Sequence, residues 1–499
     1  MKLTMKHCLA FLLLAIFALP MVAQTAWDID TLFEHVKPMK NKLDGRYQVL
    51  VIEPFKLSAD DRSYNNFKPL DKEVYEGLAA RGLTQWIPPR TQYIPIALAL
   101  QEAGCQVIFM EGMAFNGPAG ENVEGGLHQL PEDFVRDRYQ PAQQPSYPCP
   151  MLFEGWHNKA MELRSVLKEY KEAGVEVTAA WLDWEIEPYP GRSQWNEAKA
   201  CARCQKLFPK GVLDDFDAYY NYIIRLRNNL FSTYFAAPFL EYYPKCSMTN
   251  WEAVMSSLED PTPRWSATRT YPPTDLGLFN AANPVAYGNT IWYNYHFKRE
   301  YGWELNEQRM DQLYTSVMMG EVSMHQKNSD KLYPEMESIP WVDRYCADNE
   351  DPKIPILTRD RYREILRHLW LRGVDGMQIF NPSWFPDDPE KMKIITEEVV
   401  DVIEIYDEML EYRKFLDDGK VMNYAFPTVK GGEAFWSGLS LGDEAIVRTF
   451  AQGDKEEFVV FMPFDEADPI KLSCKPNKGT TYLLTLDPNG YTVYVEEVE

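Results

Sequence analysis

Three times in this chain a helical stretch ends at a glycine and passes straight into an apolar strand. The segments are 93–103 with Gly104 before Cys105-Gln-Val-Ile-Phe-Met-Glu111, 161–173 with Gly174 before 175–185, and 359–372 with Gly373 before 374–380. A glycine in that place can take the left-handed turn that ends a helix. The strands that follow are too continuously apolar for a sheet with one wet face, so they predict a parallel sheet covered by helices. Residues 47–53, 230–240 and 286–296 complete a set of six expected strands. Spread over nearly 400 residues, with acids at the strand ends Glu53, Glu111 and Glu185, the pattern fits an α/β fold, a (β/α)8 TIM-like barrel. A doubly wound sheet is the alternative, but no glycine-rich phosphate loop follows an early strand.

Long Pro/Gly-rich connections at 113–150, 186–213, 244–285 and 326–356 are then expected as loops that wall a cleft. Residues 391–416 read as one amphipathic helix that closes the barrel domain, 24–418. Beyond Gly419 the pattern becomes short apolar runs split by Gly, Asp and Pro. That predicts a small antiparallel, β-sandwich-like domain over 419–499.

Lys2 and Lys6, an apolar core from Leu9 to Leu19 and Pro20-Met-Val-Ala23 read as a secretory signal peptide, cut near Ala23. The expected location is periplasmic or extracellular, and no stretch approaches the roughly 20 apolar residues of a membrane span. Removing residues 1–23 leaves 49 Lys and Arg against 74 Asp and Glu, a net charge of −25. Such a body repels nucleic acid. Seven cysteines remain, an odd number, so at least one thiol is unpaired in any disulfide scheme. Cys201-Ala-Arg-Cys204 is the one CxxC, and without a second pair at metal spacing it reads as a local structural staple. No metal and no cofactor is expected.

The six histidines beyond residue 23, at 35, 128, 157, 296, 325 and 368, form neither HxH nor HExxH, and no GxSxG elbow occurs. Carboxylates remain, and they concentrate in Trp181-Leu-Asp-Trp-Glu-Ile-Glu-Pro188. Residues two apart share a strand face, so Trp181, Asp183, Glu185 and Glu187 are expected on one side. Acids about 6–7 Å apart on that face cannot all ionise freely, so one keeps its proton beside a charged neighbour. A glycosidase needs that division between proton donor and anion.

Leu182-Asp-Trp-Glu185 resembles the strand-4 Asp-x-Glu of chitinase-type and hyaluronidase-type barrel hydrolases, although Trp181 stands where their fuller pattern has a further aspartate. The resemblance implies Glu185 as acid/base and Asp183 as the residue that orients a substrate's N-acetyl group. Glu187-Pro188 is similar to the Asn-Glu-Pro of a large retaining clan, with Ile186 in place of Asn. That implies Glu187 as acid/base and a nucleophile near strand 7, where Glu335 and Glu337 stand. The segment Cys201 to Phe208 resembles uncharacterised barrel hydrolases related to beta-galactosidases.

Further substrate-binding candidates are Trp181, Tyr293 and Tyr295, then Gln378, Asn381 and Trp384 at the end of the last strand. Glu53 and Glu111 are candidate second carboxylates. The expected activity is a secreted glycoside hydrolase acting on an oligo- or polysaccharide; a glycan-binding protein on a degenerate barrel is the other reading.

Overall fold

The computed structural model describes residues 29–51, 69–111, 128–135, 149–182, 191–250, 277–287, 307–344, 356–380, 389–421 and Tyr424, together with short strands between 437 and 498. The signal-peptide segment lies outside the described residues. After α1 (Ile29–His35), the chain runs β1 (Val49–Val51), α2 (Lys72–Ala80), β2 (Leu83–Ile87), α3 (Ile94–Glu102), β3 (Ile108–Glu111), α4 (Glu154–Glu172) and β4 (Ala179–Leu182). An excursion through α5 (Arg192–Ala200) and α6 (Ala202–Leu207) precedes α7 (Phe216–Phe231), α8 (Ala237–Tyr242) and β5 (Ser247–Asn250). Next come β6 (Ala281–Ala282), β7 (Val285–Tyr287), α9 (Glu307–Leu332), β8 (Glu337–Ser338), β9 (Trp341–Asp343), α10 (Arg359–Trp370), β10 (Gln378–Ile379) and α11 (Pro389–Met409).

Eight of these strands form one sheet in the order β5-β4-β3-β2-β1-β10-β9-β7. Every pairing in it is parallel. The order is circular, cut between β5 and β7. Across the cut, the Asn280 N–H donates to the Met248 carbonyl at 3.2 Å, and the Met248 N–H donates to Asn280 Oδ1 at 2.6 Å. The Thr249 hydroxyl also donates to Asn283 Oδ1. The sheet is a TIM-like barrel, and its sixth and seventh strands are each broken by a proline. Pro284 separates β6 from β7, and Pro340 separates β8 from β9.

The glycine signature of the sequence is visible as geometry. Gly104 and Gly174 have φ of +86° and +85°. Behind them, the Cys105 N–H reaches the Leu100 carbonyl and the Val175 N–H the Tyr170 carbonyl, at 2.8 and 3.1 Å. These are the long backward bonds of a Schellman cap, which satisfy the last helix carbonyls while the chain reverses into the strand. Gly373 (φ +80°) and Gly82 (φ +65°) take the same left-handed conformation, Gly82 where α2 turns into β2.

Several expectations change. Residues 230–240 are helical, because α7 continues through a π turn at Ser232–Ala236 into α8. The connections 244–285 and 326–356 contain β5, β6 and the start of β7, the end of α9, and β8 with β9. The helix expected over 391–416 ends at Met409 and gives way to a 3-10 turn, Leu410–Tyr412, and a short helix, Arg413–Asp418. Beyond it, the strands β11 (Lys420–Val421), β12 (Ser437–Leu441), β13 (Ile446–Val447), β14 (Phe450–Ala451), β15 (Glu457–Phe461) and β16 to β18 (Ile470–Cys474, Thr481–Leu486, Val493–Val498) pair antiparallel. No helix among the described residues is long and apolar enough to cross a membrane.

Candidate active site

The strands sort their side chains into two cores. Val49, Leu83, Phe109, Ala180, Leu182, Met248, Val342 and Ile379 pack outward against the helices. Leu50, Trp86, Ile108, Met110, Ala179, Trp181, Val285, Tyr287 and Trp341 form a separate cluster inside the barrel. The alternation is what a period of two demands of strands with both faces buried. It fixes which residues of each strand can address the barrel axis.

At the amino ends of the strands, a polar knot closes the barrel. The hydroxyls of Tyr47 and Ser247 each donate to Glu337 Oε2 at 2.5 Å. Burial, reinforced by the Glu337 charge, pushes the Tyr47 phenol far above its usual range, so it stays a donor. Nearby, burial raises the Asp375 carboxyl to about 6, although the Ser338 N–H bonded to it at 2.7 Å opposes the shift. Glu337 begins β8, at the end of the barrel opposite to the one where such folds hold their active sites. It is therefore not placed to serve as a strand-7 nucleophile, and Glu335 is an exposed turn residue before that strand.

A second polar layer repairs the proline breaks. Asn283 Nδ2 and Gln378 Nε2 both donate to the Ile339 carbonyl, at 2.8 and 3.2 Å. Gln378, expected to face a ligand at the mouth, is 4% exposed and has a donor committed to this backbone repair. Above lies an aromatic floor. The Trp181 and Trp341 rings meet at 4.3 Å, Tyr287 meets Phe380 at 4.2 Å, and Phe380 stands edge-on to Trp341 at 6.4 Å. The indole N–H groups of Trp181 and Trp341 are buried and have no hydrogen-bond partner among the described residues. Asp343, fully buried at the end of β9 and in register with Tyr287, is a carboxylate the sequence reading did not single out.

Trp181 thus lies inside the barrel beneath the carboxyl end of β4, and Glu111 ends β3 in register with Leu182. Asp183, Glu185, Glu187, Tyr293, Tyr295, Asn381, Trp384 and Glu53 lie outside the described residues.

A second constellation was not foreseen. His128, Cys149, Cys201 and Cys204 are all buried, and their ligand atoms lie within 4.8 Å of one another. Cys204 Sγ is 3.5 Å from both Cys149 Sγ and His128 Nδ1, and the Gln129 N–H donates to Cys201 Sγ at 3.2 Å. Here the structure departs from the expected staple. Cys201 and Cys204 are free thiols, turned together toward two residues far upstream. The Cys149 and Cys204 thiols that donate to Cys201 draw its ionisation well below the usual thiol range. Met151, Ala198, Phe208, Tyr219 and Ile223 pack around the sulfurs. The four donors are of types that hold a metal ion.

In class, the fold is a TIM-like barrel whose fourth strand runs into an acidic aromatic motif. No protein-family model matches the chain, and no curated protein matches it in sequence. Among solved structures it is similar to a polyextremophilic beta-galactosidase from the Antarctic haloarchaeon Halorubrum lacusprofundi, at 12% identity, 72% of this chain, 58% of that chain and a TM-score of 0.42. It is also similar to alpha-L-fucosidase isoenzyme 2 from Paenibacillus thiaminolyticus, at 10% identity, 74% of this chain, 50% of that chain and a TM-score of 0.40. A noncanonic maltogenic alpha-amylase from Thermotoga neapolitana matches at 11% identity over 90% of this chain and 96% of its own, with a TM-score of 0.38. The chain spans about half the length of the first two.

Proposed function

We propose that the protein is a glycoside hydrolase in which Glu185 is the general acid/base and Asp183 its charged partner. The observation that carries this reading is the alternation of β4, where Ala179 and Trp181 face the barrel interior and Ala180 and Leu182 face the helices. The proposal extends that period along the sequence to Asp183 and Glu185, and so reads both acids as interior residues at the strand end where barrel enzymes collect their catalytic groups. Two carboxylates on one face, above a buried aromatic floor, divide into a protonated acid and a charged neighbour. The acid protonates the departing glycosidic oxygen, and the anion opposes the positive charge that develops on the sugar ring.

In its finer form, Asp183 steers a substrate N-acetyl group that itself attacks the anomeric carbon, which restricts the enzyme to 2-acetamido sugars. The barrel domain of 24–418, the domain after it and export of the cleaved chain belong to the same proposal. Glu185→Gln keeps shape and removes the transferable proton. It should lower turnover of a chromogenic glycoside at least about 100-fold while leaving sugar binding intact. Full turnover in this variant, with Glu187→Gln inactive, would move the role to Glu187. Hydrolysis of a plain glucoside or galactoside would remove the substrate-assisted form, since those sugars carry no internal nucleophile.

A further inference from the structure

We propose that His128, Cys149, Cys201 and Cys204 bind one Zn²⁺ ion in a closed tetrahedral site that ties the loop after β3 to the loop after β4. Three thiolates and one imidazole are a donor set that zinc takes in structural sites. A tetrahedron with metal–sulfur distances of about 2.3 Å has edges of about 3.8 Å. The separations seen here, 3.5 Å for two pairs and none beyond 4.8 Å, match that size before any ion has drawn the ligands in.

Chain geometry supports the same conclusion. Cys201 is the junction residue between α5 and α6, and Cys204 lies in the first turn of α6. The Gln129 N–H on Cys201 Sγ is the kind of outer contact that orients a metal-bound thiolate. The segment carrying it is fastened to the CxxC by a second bond, from the Ala202 N–H to the Gln129 carbonyl at 3.3 Å.

A disulfide accounts for this cluster less well. Joining Cys149 to Cys204 would use two of the four groups and leave the Cys201 thiol and the His128 ring buried beside the bond. All four ligands come from the protein and all are buried, so no position is left open for substrate. The ion is therefore structural. Its place in the chain gives it a purpose, whatever reaction the barrel carries out. His128 and Cys149 lie between β3 and α4, while Cys201 and Cys204 lie between β4 and α7. β3 and β4 are hydrogen-bonded neighbours, so the ion would clamp together two long excursions leaving adjacent strand ends.

The test is elemental analysis of the full chain purified without chelator, with thiols protected from air. One zinc per chain is expected, retained by Cys246→Ser, whose buried thiol lies outside the cluster, and lost by His128→Ala and by Cys149→Ser. Should those variants fail to fold, Co²⁺ exchanged into the wild-type protein supplies an independent reading. Thiolate-to-cobalt charge-transfer bands and intense tetrahedral d–d bands are expected. Chelation should also lower the thermal midpoint of the wild type and leave that of a metal-free variant unmoved. A wild-type chain that holds no zinc and shows a Cys149–Cys204 disulfide by mass spectrometry would overturn the proposal, as would octahedral cobalt spectra or zinc retained by a Cys201→Ser, Cys204→Ser double variant.

Discussion

Asp375 shows how much a single buried group can say about this barrel. Its carboxyl accepts the Ser338 N–H while its own N–H donates to the Ser338 carbonyl at 2.8 Å, so it pins β8 to the approach of β10. Burial raises its pKa from 3.8 to about 6. The folded state therefore holds the proton more tightly than the unfolded chain does. The stability linked to that proton is fully present below about pH 4 and is lost as pH rises through about 6. A shift of this size corresponds to about 3 kcal/mol. Asp375→Asn keeps the acceptor and cannot ionise. Its urea-unfolding free energy should therefore change less between about pH 4 and pH 7 than that of the wild type, by roughly 2 kcal/mol. An unchanged gap would mean that another group titrates there. Residue-scale reading of the sequence served the site unevenly. Trp181 was recognisable because it sits on the strand that carries the acids. His128 and Cys149 were not, because they stand 73 and 52 positions before Cys201 and only tertiary folding brings them near.

Among the elements, the pair α10 and α11 is bound by charge as well as by packing. Asp401, with a fully buried side chain, accepts from Arg359 Nε at 2.8 and 2.9 Å and from Arg363 Nη1 at 2.6 Å. Arg367 reaches Glu408 through two bonds of 2.9 Å one helical step further on. Removing one partner of a buried ion pair costs more than the pair contributes, because the remaining charge is left desolvated. Both arginines at Asp401 are partly exposed and can turn to water, so Asp401→Ala should destabilise by about 2–3 kcal/mol, read as a lower urea midpoint with an unchanged slope. A neutral result would show that helix packing alone holds the pair. Legibility at this scale followed the polarity of each strand. β1, β3, β4 and β10 lay within recognisable apolar runs. β2 did not, because Thr84 and Gln85 interrupt its run, and the Thr84 hydroxyl donates to the Gln106 carbonyl, 22 residues away. β5 reads Ser-Met-Thr-Asn because its inward residues belong to the polar layers of the barrel, and β8 and β9 are hidden by Pro340. The segment 230–240 has the aromatic composition of a strand, yet Phe231, Phe235 and Phe239 all find the helix-facing core from a helical backbone.

The whole molecule carries a net charge of −23. Most ion pairs among the described residues join segments far apart in sequence, whereas the excess negative charge is spread over the chain and acts against compaction. Added salt screens this repulsion beyond about 10 Å at 0.1 M and weakens the exposed pairs only modestly. The thermal midpoint should therefore rise by a few degrees between roughly 10 mM and 300 mM sodium chloride. A fall would show that favourable pairing outweighs the net charge.

The pairing of β1 with β10 also has a consequence in time. Val49 finds Leu83 soon after it is made, but the other edge of β1 waits for Gln378, the register partner of Leu50. A ribosome adding about 5–20 residues per second takes roughly 20–60 s to cover that interval. Throughout it, the growing polypeptide carries an unclosed parallel sheet whose first strand offers its free edge to any neighbour. A holdase that covers the early strands until the eighth emerges should therefore raise the yield of this barrel without changing its final stability.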